Sequence, residues 1–379
     1  MTSEIVLNNA KIVLADRVLE GHLVVRDGAI AEIGEGRGGA GEDLGGDYLL
    51  PGLVELHTDH LEGHFMPRPK VRWNKMASVQ AHDAQVAASG ITTVFDALRV
   101  GMDEDANITA ADMREMADTI AVAVDERRLR ADHYIHLRCE VSAADVLEGF
   151  ELMQGNQRLR LASLMDHAPG QRQFISMETY RTYYQGKMKL SDSEFDAFCE
   201  RRMRQSQENA PRNRPVIAER CRQAGITLAS HDDATTEHVR EALELGTALA
   251  EFPTTAEAAG ASAAAGMKVL MGAPNVVRGG SHSGNISALD LHRSGHLDVL
   301  SSDYVPFSLM QAVFVLAERE EAGLPAAVRL VTKHPAEVSG LVDRGEIAPK
   351  KRADLVRVRA APEMPPIVRS VWRTGERVA

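Results

Sequence analysis

Eight times along the middle of the chain a short apolar segment gives way to a helix-forming stretch, often rich in alanine. The segments are LVELHTD (53–59), TTVFDAL (92–98), HYIHLRCEV (133–141), LASLMDH (161–167), TLASHDD (227–233), LAEFPT (249–254), KVLMGAPN (268–275) and VLSSDY (299–304). Eight strand–helix units are what a (β/α)8 barrel requires, and such barrels run to about 250 residues. The flanks differ. Residues 4–33 alternate with period two around turns at Asn8-Asn9 and Asp27-Gly28, and 353–379 again read as short strands with a turn at Thr374-Gly375. The glycine-rich stretch 34–47 is a loop without core-forming residues. The expected fold is therefore α/β: a TIM-like (β/α)8 barrel over 52–345, with a small β-sandwich domain built from both chain ends, 1–51 and 346–379. Residues 168–215 are too long for a simple connection. Ser191 with Glu194 three residues on marks a helix start inside them. The segment follows a strand's C-terminal end, where barrel loops build active sites, so a lid or substrate-contacting excursion is expected.

Composition narrows the partners. The net charge of −11 argues against nucleic acid as the main partner, and 4% aromatic residues offer no base-stacking platform. No apolar run reaches the 18 residues of a membrane span, and the charged N-terminal stretch lacks a signal peptide's apolar core. Three widely spaced cysteines (Cys139, Cys199, Cys221) fit a reducing compartment, so a cytoplasmic protein is expected. Nothing fixes the oligomeric state; the excursion and the β-domain are both available to a homo-oligomer.

The chemistry sits at the strand ends. They carry His57-Thr58-Asp59, Cys139-Glu140, Asp166-His167, His231-Asp232-Asp233 and Ser302-Asp303. Residues i and i+2 of a strand face the same side, so His57 and Asp59 can both face the barrel mouth. Carboxylates are almost never fully buried unless paired or metal-bound, and five strands ending alike point to a site for Zn2+ or Mn2+. His60, Glu62 and His64 lie just past the first strand and read as flanking residues. The His82-Asp83 pair falls in a helical stretch and reads as structural, and Cys139, facing away from Glu140, as a packed thiol.

The LLPGLVELHTD run (49–59), the Asp-bearing last strand and KRADLV (351–356) resemble the amidohydrolase superfamily. Within it the longer motifs HLRCE, SLMDHAPGQRQF, YYQGK, ASHDDAT, EFPTT, VLMGAPNVVRGGSHSGN and SSDY are most similar to diphosphatases of phosphonate catabolism, in the carbon–phosphorus lyase pathway. The resemblance implies a barrel hydrolase with one or two divalent ions, zinc first and manganese second. It implies metal ligands among His57, Asp59, Glu140, His167, His231 and Asp303, with Asp303 also taking a proton from the attacking water. The superfamily's first-strand HxH stands here as His57-x-Asp59, and Glu251 occupies a sixth-strand position where some relatives place a histidine. The implied substrate is a small molecule, a ribose 1-methylphosphonate 5-triphosphate, cleaved to the 5-phosphate and diphosphate.

Such a polyanion needs cations and hydroxyls. Arg68, Lys70 and Arg72 leave the first strand beside the metal ligands; Arg172, Tyr183 and Lys187 lie in the excursion; Arg278 and His282 flank a glycine-rich turn. Each group also has a plain reading, as a solvated loop or an ordinary turn. The competing functions are cyclic-amide hydrolysis or nucleobase deamination on the same barrel, and a non-catalytic scaffold. A neutral ring would not need the 68–72 cations, and a scaffold would not be expected to keep the strand-end ligands.

Overall fold

The chain ends build one mixed sheet. Its N-terminal strands are β1 (Glu4–Val13), β2 (Val18–Arg26), β3 (Ala29–Glu35), β4 (Glu42–Asp43) and β5 (Tyr48–Pro51). The structure is a computed structural model that describes residues 4–101, 108–172, 180, 181, 185, 190–281, 284–319 and 323–379. Tyr183, Lys187 and His282 lie outside the described residues. β1 pairs antiparallel with β2 and β2 with β3, while β5 lies parallel to β1. Leu7, Ile12, Leu23, Ile30, Leu49 and Trp372 form the buried core of this sheet. On its other side Val13, Leu50, Val356 and Val371 join Met310 and Val313 of the helix Ser308–Arg319, so the sheet is packed onto the barrel layer.

The barrel strands are β6 (Leu53–Thr58), β7 (Ile91–Val100), β8 (Asp132–Glu140), β9 (Leu159–Met165), β10 (Thr227–His231), β11 (Leu249–Glu251), β12 (Lys268–Gly272) and β13 (Val299–Ser301). They pair in sequence order and in parallel, the eight-unit pattern expected from the repeat. At Gly52, leading into β6, a Cβ would meet Thr92 Oγ1 at 2.2 Å, so only glycine allows this approach of β6 to β7. Val54, Leu56, Phe95, Leu161, Ala229, Leu249, Leu270 and Val299 fill the barrel. The polar strand ends are thereby confined to the C-terminal mouth.

Between β6 and β13 the described backbone shows one isolated bridge, Thr58 to Asp303. Side chains close the seam instead. Glu55 Oε1 accepts from His57 N and its Oε2 from Ser302 N, each at 2.6 Å, and Ser301 Oγ donates to His57 O at 3.0 Å.

The helix Asp192–Ala224 opens with the expected capping box, Ser191 with Glu194, and ends at Gly225 with φ 66°. It passes through Pro211 and Pro215 and, from between them, Asn213 Nδ2 donates to the Val141 and Ala143 carbonyls after β8. The C-terminal strands β14 (Leu355–Ala361), β15 (Met364–Arg373) and β16 (Glu376–Arg377) complete the terminal sheet, β14 pairing with β5. At the foot of β8, Asp132 accepts from Arg344, Arg352 and Arg373 at 2.7, 2.6 and 3.2 Å, tying barrel to terminal sheet. No described helix is long and apolar enough to cross a membrane.

Candidate active site

Left-handed backbone follows three of the strands that carry the site. Asp232, Phe252 and Asp303 have φ of 58°, 52° and 55°, immediately after β10, β11 and close after β13. Non-glycine residues rarely adopt this region, and such outliers cluster at functional sites. Here it turns the chain out of the strand while keeping His231, Asp232, Glu251 and Asp303 at the mouth.

Glu251 lies at the centre. Its Oε2 is 3.3 Å from His57 Nδ1 and 3.1 Å from His231 Nδ1, and its Oε1 is 3.7 Å from His136 Nε2. Beside it, His167 Nε2 and His231 Nε2 lie 3.8 and 3.4 Å from Asp232 Oδ2. Glu140, at the end of β8, accepts from the His167 ring at 2.6 Å, from His167 N at 3.1 Å and from Ser142 Oγ at 2.6 Å. Of the three side-chain groups among the described residues that could hold an ion, two lie here: His57, His136 and Glu251; and His167, His231 and Asp232; the third, His82, Asp96 and His133, is buried elsewhere.

The electrostatics follow from burial. Loss of hydration holds the imidazoles of His57, His136 and His231 down to about 3, so all three stay neutral at physiological pH with lone pairs available. Burial pushes Asp303 up to about 7, helped by Asp59 and opposed by Arg138. It pushes Asp232 up to about 6 against the pull of His167 and Arg138. Burial also acts to raise Glu140, but His167, Arg99 and Arg202 together bring it well below the ordinary carboxylate range.

A divalent ion fits this donor set. His57 Nδ1, Asp232 Oδ2 and Glu251 Oε1 are buried without a hydrogen-bond partner among the described residues. Such orphaned atoms are costly unless something satisfies them. Neutral imidazoles and carboxylates are the donors that zinc and manganese take.

The candidates from sequence divide by position. His57, His167 and His231 fall in the two ion-binding groups at the mouth; Glu140 accepts from the His167 ring and Asp303 follows β13, neither of them in a group. Asp59 lies at its edge, with Oδ2 3.1 Å from Arg138 Nη1. Arg172 is buried and paired with Asp233 and Glu241. Arg72 Nη1 binds Asp112 at 2.7 Å, while Arg68, Lys70 and Arg278 are exposed.

Sequence reasoning did not single out His136, Arg138 or Asp232 as site residues, and left Glu251 open. The first two had a legible signal: in HLRCE, His136 and Arg138 alternate with Glu140 and share its face of the strand. Asp166 belongs to the frame, accepting from Ser206 Oγ at 2.8 Å and Arg214 Nη2 at 2.9 Å.

The His82-Asp83 pair is part of a second buried network. His82 and His133 bind the two oxygens of Asp96 at 2.8 Å each, and Asp83 accepts from Arg130 N and Ala131 N at 2.8 and 3.0 Å. This network pins the helix Lys75–Ala88 to β7 and β8. Cys139 is fully buried, and burial raises its thiol well above the ordinary value.

No family model matches the chain. The alpha-D-ribose 1-methylphosphonate 5-triphosphate diphosphatase of Escherichia coli is 46% identical over 377 residues, covering 98% of this chain and 100% of that protein. A D-hydantoinase of Rhizobium radiobacter is 36% identical over 97 residues, 24% of this chain and 20% of that one. Among solved structures, N-acetyl-D-glucosamine-6-phosphate deacetylase from Mycobacterium smegmatis superposes with a TM-score of 0.65 at 16% identity, covering 99% of both chains. An enamidase described as a member of the amidohydrolase superfamily gives 0.63 at 16% identity, covering 99% of this chain and 96% of that one. The chain shares the fold of these amidohydrolase-type structures and belongs to the family of alpha-D-ribose 1-methylphosphonate 5-triphosphate diphosphatase.

Proposed function

We propose that the protein hydrolyses alpha-D-ribose 1-methylphosphonate 5-triphosphate to alpha-D-ribose 1-methylphosphonate 5-phosphate and diphosphate, in phosphonate catabolism. The observation that carries this reading is identity at nearly half of all positions, over the whole chain, to a diphosphatase of that name. The hydantoinase likeness spans a quarter of the chain and does not support cyclic-amide hydrolysis as the activity. With buried free thiols at all three cysteines, we place the enzyme in the cytoplasm.

His57, His136 and Glu251, with His167, His231 and Asp232 beside them, are the residues that would hold divalent metal, with zinc our first assignment. When bound, such an ion polarises phosphoryl oxygens and acidifies water. Burial, together with the charges of Asp59, Asp232 and Glu251, raises the proton affinity of Asp303 to about 7. A general base works best when its pKa is near the working pH. The Asp303 carboxylate takes the proton as the water oxygen bonds to phosphorus. The bridging P–O bond between the first and second phosphates breaks, and its electron pair leaves with the departing oxygen.

The test is diphosphate release from the ribose triphosphate by chelator-stripped protein, before and after zinc or manganese is restored. Release only with metal is expected. No release in either state, with dihydropyrimidine rings opened instead, would overturn the substrate and leave the metal barrel standing.

A further inference from the structure

Arg138 is a cation set among residues suited to hold another cation. It follows His136 and precedes Glu140 by two residues each, so all three share one face of β8. Its charge acts on His57, His136, Asp232 and Asp303 alike. The side chain is 17% exposed at the mouth. Two contacts use its donors: Nη1 to Asp59 Oδ2 at 3.1 Å and Nε to the Met165 sulfur at 3.4 Å. Thioether sulfur is a weak acceptor, and Nη2 has no acceptor among the described residues. A guanidinium carries five N–H donors in a fixed planar fork, always charged. Two more guanidiniums stand on the same wall: Arg99 Nη2 is 3.6 Å and Arg202 Nη2 3.9 Å from Glu140.

Placing a largely buried guanidinium beside a divalent ion is unfavourable unless anionic charge comes between them. Asp59 is the carboxylate in direct contact, itself about one-third exposed, while Asp232 and Asp303 feel the guanidinium's charge with no hydrogen bond to it among the described residues. A neutral cyclic amide would add none. A phosphate chain would add several oxygens at spacings that the fork accepts two at a time.

We propose that Arg138, oriented by Asp59, binds phosphate oxygens of the substrate at the barrel mouth and is the residue that makes this centre select phosphoanhydrides; this deepens the diphosphatase reading and rests on it. The Asp of the His57-x-Asp59 motif thereby serves to hold an arginine. The exposed 68–72 loop is secondary, since its Arg72 is engaged by Asp112.

The experiment compares wild type, Arg138→Met and Arg138→Lys as zinc-loaded enzymes. It reads KM and kcat for the ribose triphosphate, the affinity for inorganic phosphate by calorimetry, and bound zinc by mass spectrometry. Arg138→Met should raise both KM and the phosphate Kd at least tenfold with zinc content unchanged. Arg138→Lys, which keeps the charge and loses the fork, should fall between. Arg138→Met within twofold of wild type in both quantities overturns the proposal. Should Arg138→Met fail to load zinc or to fold, Arg138→Lys decides: wild-type KM and phosphate affinity in it overturn the fork's role. Arg138-dependent phosphate binding by a wild type that releases no diphosphate would sink the reaction assignment and leave the anion site intact.

Discussion

Asp303 owes its behaviour to its surroundings more than to its type. Left-handed backbone turns it out of the strand, its N–H donates to His57 O at 3.1 Å, and burial, reinforced by nearby Asp59, raises its proton affinity to about 7. Asp303→Asn keeps the size and removes the proton acceptor. It should slow diphosphate release by about 10²–10⁴-fold, the usual contribution of a positioned base. Bound metal, measured by mass spectrometry, should stay at the wild-type level. Turnover within twofold of wild type would remove Asp303 from the proton path. His231 and Asp232 show the same principle at the end of β10: adjacent in sequence, they reach one centre only because Asp232 takes φ 58°.

The seam between β6 and β13 shows what elements contribute. Parallel strands of three and six residues offer few ladder bonds, and the two oxygens of the Glu55 carboxyl, which burial pushes up to about 8, accept from backbone N–H groups in their place. Glu55 thereby fixes the offset between the strand carrying His57 and the strand leading to Asp303. Glu55→Gln would turn an amide N–H2 toward one of the two backbone donors. Leaving a buried group unsatisfied costs about 1–3 kcal/mol, so the variant should lose that much stability, read as a lower urea midpoint at unchanged m. Turnover should fall with it, because His57 and Asp303 lose their common reference. Wild-type stability and turnover would mean that the backbone alone holds the seam. At the same scale, the helix Asp192–Ala224 brings Arg202, Ser206, Asn213 and Arg214 against the residues following β8 and β9. Its start was readable from Ser191 and Glu194; which of its faces meets the mouth was not.

Across the whole molecule, the terminal sheet is bound to the barrel by Asp132 and three arginines. Asp132→Asn removes the charge they share; breaking a buried pair costs about 3–5 kcal/mol, and with Asp132 one-quarter exposed the loss should fall at or below the low end of that range. A melting temperature lower by several degrees with unchanged metal content is expected; an unchanged melting temperature would show that apolar packing through Val13, Leu50 and Met310 suffices. The sequence by itself determined the eight strand–helix units and the β character of both ends, because apolar periodicity and turn residues act locally. It also placed His57, Glu140, His167, His231 and Asp303 at strand ends, since polar residues closing apolar runs stand out in any one segment. Tertiary structure decided the pairings. Glu251 became the hub of three histidines from three other strands, Asp59 was drawn to Arg138, Arg72 to Asp112, and Arg172 into a buried pair with Asp233. These outcomes depend on distances between segments tens to hundreds of residues apart, which barrel closure sets and no local pattern encodes.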